Sequence, residues 1–207
     1  MTTRQQNPLA RIRLLYTNKD RVVDESEIDH TELSSECSID GQAVVLELCL
    51  LNRSRILRAP GIRITKSEFD TVDAANADMS NSSWRSIRAK DSRLTGTQIN
   101  FGHLSEVVFQ RCQMNHLQLQ ECTLKNVRFE GCDLRGAYFN SSRMNGTVFE
   151  GSNLTGADFT QADLTGCDFR RAIIEGIRIA PEQLHGVIVT PDQAMYLARI
   201  MGLDIRE

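Results

Sequence analysis

Ala157-Asp158-Phe159-Thr160-Gln161, Ala162-Asp163-Leu164-Thr165-Gly166 and Cys167-Asp168-Phe169-Arg170-Arg171 are three consecutive five-residue units of one pattern. A small residue opens each unit, an acid follows, and a large apolar residue stands at the centre. Stepping by five from these central residues in both directions gives Ile64, Phe69, Ala74, Met79, Trp84, Ala89, Leu94 and onward to Leu184 and Val189. All 26 stops are apolar in a chain that is 41% apolar. Chance would give such a run about once in 10¹⁰, so repetition decides the architecture before any other signal is weighed.

The position two before each stop is also selected for small or apolar residues, as in Val72, Ala77, Val107, Cys112, Ala157 and Ala162. Residues two apart point to one side of an extended chain. The next inward residue lies three positions on, which breaks strict alternation and requires a bend. Gly131, Gly136, Gly146, Gly151, Gly156, Gly166, Gly176 and Gly186 all fall two after a stop, where a corner belongs. An α-helix is excluded, because five residues advance it by about 500° and would smear the stops around its axis. Phe69, Phe109, Phe129, Phe149 and Phe169 recur on a 20-residue ladder broken only by Ala89, while Phe139 and Phe159 stand on another. Four sides of five residues therefore close one turn. The 26 stops make six and a half coils, a rod about 31 Å long at about 4.8 Å per coil.

These residues resemble the pentapeptide repeat family. Its motif is an alanine, then Asp or Asn, then Leu or Phe, then two variable residues. Ala157-Asp158-Phe159, Ala162-Asp163-Leu164 and Cys167-Asp168-Phe169 carry it, with Cys132-Asp133-Leu134 and Ser152-Asn153-Leu154 as close variants. The resemblance implies an all-β fold, a right-handed quadrilateral β-helix, and the handedness comes from the resemblance alone.

The regular β-helix is expected over residues 62–190. Residues 1–20 carry no repeat, with a short helix opening at Asn7-Pro8. Residues 21–61 read as irregular N-terminal coils built on Cys37/Ile39, Val44/Leu46, Cys49/Leu51 and Ser54/Ile56. Ile28 and Leu33 suggest an earlier turn. The step from Ile56 to Ile64 is eight residues, read as three extra residues forming a protruding Pro60-Gly61 loop that resets the coil. Residues 191–207 read as a C-terminal capping α-helix and tail. Thr190-Pro191-Asp192 supplies a capping hydroxyl, a first-turn proline and an acid at the positive end of the dipole. Ala194, Leu197, Ala198 and Met201 follow helical spacing, and Gly202 ends it. A helix here would cover the open edge of the last coil.

The composition points to one elongated domain. No apolar run reaches 18 residues, so no membrane contact is expected. The N-terminus lacks the apolar core of a signal peptide, which gives a cytoplasmic expectation. The inward cysteines read as small buried hydrophobes, with Cys112 and Cys132 stacked one coil apart. His103, His116 and His185 fall on outward positions, and no cluster offers a catalytic, cofactor or metal site. The chain reads as non-enzymatic.

Binding remains. Residues 62–189 hold 14 Lys/Arg and 15 Asp/Glu. Duplex DNA over 31 Å would show about 18 negative charges, so a full charge mimic is not built here. The side carrying Leu104 and Leu124 sums to +2, and Arg85, Arg88, Lys90 and Arg93 form a basic run too short to argue for direct nucleic-acid binding. Outward apolar and aromatic residues mark candidate partner contacts: Phe101 at a corner, Val108 and Val148 flanking Arg128, and Tyr138. Ser80, Asn100, Gln120, Asn140 and Thr160 form an uncharged polar column. The reading is a protein–protein interaction scaffold with an unknown protein partner. The resemblance implies an alternative, a DNA mimic that binds and protects DNA gyrase or another topoisomerase, as quinolone-resistance members of the family do. It also implies a homodimer through the C-terminal helix, with Tyr196, Leu197, Ile200, Met201 and Leu203 as candidate cap or dimer residues.

Overall fold

A computed structural model describes residues 21–23, 27–29, 32–33, 37–41 and 44–206. The expected helix at Asn7-Pro8 lies outside the described residues. The chain winds into a parallel β-solenoid of stacked coils, closed by one C-terminal helix over Pro191–Ile200. The strand Ser83–Lys90 pairs in parallel with His103–Gln110, setting Trp84 on Leu104 and Ala89 on Phe109, each 20 residues apart. Thr123–Lys125 and Arg128–Glu130 continue the stack above, and Arg63–Thr65 and Glu68–Asp70 lie below.

The alternation of inward and outward residues follows the five-residue period. Every stop from Ile64 to Ile174 is buried, and so is every residue two before a stop from Ile62 to Ile177. Ile179, Leu184 and Val189 are only partly buried, packed against the core at the last, incomplete coil. The residue two after each stop takes a left-handed backbone with φ between 49° and 73° at nearly every corner from Lys66 to Gly186, Arg171 and Pro181 apart. Among the described residues sixteen non-glycine positions, Leu48 and Arg53 included, accept a left-handed backbone, which costs each about 1–2 kcal/mol. Closure of the coil over-determines it.

The N-terminal coils are shorter than the rest, and the Pro60-Gly61 loop expected above does not form. Leu46 pairs with Ile64 and Leu51 with Phe69, eighteen residues apart. Ala59 is fully buried, five residues before Ile64, and is itself a stop. The amide of Gly61 donates to Ser80 O at 2.7 Å, as Asn81 does to Asn100 O one coil higher. Pro60-Gly61 is therefore an ordinary corner. The irregularity is a loss of two residues between Ile56 and Ala59, with Leu57 left 45% exposed beside a register shift.

Inside, like stacks on like. Phe109, Phe129, Phe149 and Phe169 form one stack with centroids 5.1–5.2 Å apart, and Phe139 lies on Phe159 at 5.0 Å. The two stacks meet edge to face. The gap at Ala89 is filled from the neighbouring side. The Trp84 ring reaches both Phe69 (5.5 Å) and Phe109 (6.1 Å), and its Nε1 donates to Ser82 Oγ at 2.9 Å.

The acid of the motif has a local function. Asp163 Oδ1 accepts from the Thr165 amide (3.1 Å) and hydroxyl (2.8 Å), and Asn153 Oδ1 does the same for Thr155. Asp73, Asp78, Asp133, Asp158 and Asp168 each accept the amide two residues on. The motif's Asp/Asn is thus an Asx turn that starts the corner. These bonds favour the charged form. Hydrogen bonds from the Thr165 hydroxyl and amide hold the Asp163 carboxyl below its usual range, and Arg93, Arg135 and Arg170 do so for Asp73, Asp133 and Asp168.

Two outcomes follow. Trp84→Leu should destabilise by about 3 kcal/mol and Ala89→Phe by about 2 kcal/mol. Together they recreate the Leu-and-Phe coil of Leu104/Phe109, so thermal denaturation of the double variant should show a deficit at least about 1 kcal/mol below the sum. Additive losses would refute the ring-for-gap packing. Second, carboxyls with lowered folded pKa stabilise fully above the unfolded value near 4, and that contribution is lost as pH falls toward the folded value. The melting temperature should therefore drop steeply below about pH 4. At pH 7, Asp163→Asn should cost under about 0.5 kcal/mol, because Asn153 makes the same bonds, whereas Asp163→Ala should cost about 1 kcal/mol.

Candidate interaction surfaces

Each unit presents two outward strand residues and one corner residue, so the surface is four sides of stacked columns. On three sides, cations one coil from acids are tied to them. Lys90 Nζ lies 3.0 Å from Asp70, Arg93 grips Asp73 at 3.0 Å with two bonds, and Arg111 grips Asp91 at 2.8 and 2.7 Å. Arg128 bridges Glu130 (2.8 Å) and Glu150 (3.2 Å), Arg171 adds a 2.6 Å bond to Glu150, and Arg178 reaches Asp158 at 3.3 Å. Arg135–Asp133 and Arg170–Asp168 close within single units. Exposed pairs of this kind add little stability singly. Their effect is to pair off the cations of the Phe109 and Met114 sides, while Asp78 and Glu121 on the Leu119 side form no ion pair among the described residues.

The basic run Arg85, Arg88, Lys90 and Arg93 is dispersed by the coil. Arg88 faces Glu68 at 4.0 Å, Lys90 and Arg93 are paired as above, and only Arg85 keeps a free charge among the described residues. Proximity in sequence misleads here, since these four residues lie on three different sides.

The candidate partner contacts do not form one patch. Val108, Arg128 and Val148 stack in register on the Phe109 side, and both valines are half-buried. Tyr138 lies on the Leu119 side, bridged between Gln118 and Asp158, and is also half-buried. Phe101 stands at the corner between the Leu119 and Leu104 sides, 51% exposed at φ 60°. It stays apart from the others. The polar column is joined in part by amide bonds: Gln120 donates through its backbone to Asn100 Oδ1 (3.1 Å) and through Nε2 to Asn140 Oδ1 (3.4 Å).

Two of the interior thiols are chemically quiet. Burial pushes the Cys122 thiol up to about 11 and the Cys167 thiol up to about 12, so both stay protonated at neutral pH. His103, His116 and His185 are exposed, and His30 lies outside the described side chains.

The C-terminal end is a sealed edge. Thr190 caps the helix, with Gln193 N donating to its Oγ1 at 3.2 Å and Gln193 Oε1 accepting from the Thr190 amide at 3.0 Å. Gln193 Nε2 then reaches under the helix to Phe169 O (2.6 Å) and Ala172 O (2.9 Å). Gln183 repeats the device ten residues earlier, where Pro181–Leu184 forms a single 3₁₀ turn. Its Oε1 accepts from Ala180 N, and its Nε2 donates to the carbonyls of Phe159 and Ala162. Each glutamine amide stands where the amide of a further strand would be. Sequence reading missed both, although Pro181-Glu182-Gln183 and Pro191-Asp192-Gln193 repeat one pattern.

Of the candidate cap or dimer residues, Leu197 is buried on the coil, and Tyr196 is anchored there, its hydroxyl accepting from Gly176 N at 2.6 Å. Met201 is half-buried. Tyr196 therefore packs as part of the cap. Ile200 (43%) and Leu203 (62%) are exposed, joined by Met195 and Ile205.

The family model for pentapeptide repeats matches residues 92–131 and 132–171 in 8 copies. No curated protein sequence matches the chain. A trypsin-treated form of QnrB1, a plasmid-mediated fluoroquinolone resistance protein, is similar in structure with a TM-score of 0.56 at 17% identity, over 88% of this chain and 92% of that one. HetL, a pentapeptide repeat protein involved in heterocyst differentiation regulation in the cyanobacterium Nostoc, aligns with a TM-score of 0.28 at 17% identity, over 83% and 86% of the two chains. The likeness to QnrB1 shows a shared fold. With its five-residue ladder, its four-sided coils and its matched copies, the chain carries pentapeptide repeats over residues 92–171 and has the β-solenoid fold of pentapeptide repeat proteins.

Proposed function

We propose that this protein is a non-enzymatic scaffold that recognises protein partners through the outward residues of its coil and self-associates through its C-terminal end. One observation carries the second part. The cap helix turns Leu197 and Tyr196 onto the coil and leaves Met195, Ile200, Leu203 and Ile205 exposed, with Ile173 and Ile188 exposed on the last coils; elsewhere among the described residues the large exposed apolar side chains are Leu57 and Phe101. Exposed apolar groups of this kind mark association sites. A second copy presents the same end, which permits a closed two-fold contact.

A duplex-DNA mimic acting on DNA gyrase would need an acidic face. The carboxylates of Asp70, Asp73, Asp91, Glu130, Glu150 and Asp158 each hold a cation. That pairing favours the scaffold reading over the mimic.

Sedimentation equilibrium at about 10 μM should give a dimer that Leu203→Glu with Ile200→Glu converts to a monomer, the exposed contact being worth about 3 kcal/mol or more. A wild-type monomer would remove the self-association reading. In a supercoiling assay, the protein should leave gyrase activity and quinolone-induced cleavage unchanged. Protection of gyrase would instead establish the mimic.

A further inference from the structure

The Leu104 side differs from the other three. Its outward columns run Arg63, Ser83, His103, Thr123, Arg143 and Thr65, Arg85, Ser105, Lys125, Asn145, and Lys66 stands at its first corner. Arg63, Lys66, Arg85, Lys125 and Arg143 are all exposed, and none forms an ion pair among the described residues. Glu106 is the one carboxylate within these five units, its Oε2 accepting from Ser86 Oγ at 2.7 Å, while Glu121 stands at the opposite corner and Glu47 one coil below Thr65. Asp163, one coil above Arg143, is engaged by Thr165 and Asn145. Cationic charge that is paired on the Phe109 and Met114 sides is therefore left unpaired here in four of five successive coils.

We propose that the Leu104 side binds an extended acidic polypeptide segment. The proposal rests on the scaffold reading and names the chemistry of one partner. The coil spacing of about 4.8 Å places Arg63 and Arg143 about 19 Å apart along the axis, and the two columns lie about 7 Å apart across it. That strip matches about six residues of extended chain at about 3.3 Å each. Arg85 and Lys125 lie two coils apart in one column, with Ser105 between them as a hydrogen-bond donor. Guanidinium groups grip carboxylates with paired bonds, which suits Arg63, Arg85 and Arg143. A nucleic acid has the same sign of charge but fits less well. The chain as a whole carries −3, and a continuous strand would run beyond the strip past Asp163 and the paired carboxylates of the flanking sides.

The full-length protein is titrated into fluorescein-labelled deca-glutamate at low salt, with labelled deca-thymidine as the second probe. Arg85→Gln with Lys125→Gln should weaken deca-glutamate binding at least tenfold. Arg93→Gln with Arg111→Gln removes the same charge from paired positions and should change it less than twofold. Equal losses in the two double variants, or no binding by the wild type, would overturn the proposal. Tighter binding of deca-thymidine, lost in the Arg85/Lys125 variant, would also overturn it and assign the face to nucleic acid. Circular dichroism confirms that each variant keeps its fold. These outcomes leave the self-association reading standing, because sedimentation tests that separately through Leu203 and Ile200.

Discussion

The interior of the coil is closed on four sides by backbone, and each side sends in two side chains per turn. Everything else depends on that confinement. Because one coil sits 20 residues above the last, each inward residue touches its own counterpart in the coils above and below. A wide ring on one rung therefore calls for a wide ring on the next, and Phe109, Phe129, Phe149 and Phe169 answer it. Where a rung departs, the correction must come from an adjacent side at the same height, as Trp84 does over Ala89. The same confinement forces the corner residues into left-handed backbone, glycine or not. It also commits the motif's acid to starting that corner, which is why so many carboxylates carry no chemistry.

Outside the coil the same 20-residue register sets which charges meet. Asp73 and Arg93, or Asp91 and Arg111, are distant in the chain and adjacent on the surface. Charge on a solenoid is therefore read down columns. By that reading the Arg85–Arg93 run dissolves, and a different set, drawn from coils as far apart as Arg63 and Arg143, remains uncancelled.

Much of the fold was legible in the sequence because one constraint repeats 26 times. The stops, the small inward partners, the corners and the four sides all follow from spacing, and Thr190-Pro191-Asp192 marked the helix start. The N-terminal irregularity was misread for an arithmetic reason. A gain of three residues and a loss of two give the same remainder in a period of five, so Ile56 to Ile64 fits either. Only the burial of Ala59 separates them. The surfaces were less legible. Phe101, Val108, Arg128, Tyr138 and Val148 were singled out for being outward and apolar or basic. Whether they meet depends on which side and which coil each occupies: Val108, Arg128 and Val148 share one column, while Tyr138 and Phe101 stand elsewhere. Tyr196 was a candidate for cap or dimer alike, because helical spacing does not report the hydrogen bond its hydroxyl makes to Gly176.

A stack of parallel, in-register rungs with identical side chains piled on one another is also the geometry of amyloid, where each exposed rung templates the next. This chain follows that geometry for about six turns and then stops. Gln183 and Gln193 occupy the two diagonally opposite corners of the last rung, and Tyr196 satisfies a third at Gly176. Three side chains thus convert an open-ended polymer lattice into a molecule of fixed length. A coil added to or removed from this chain would keep that end closed only if Gln183, Gln193 and Tyr196 moved with the final rung.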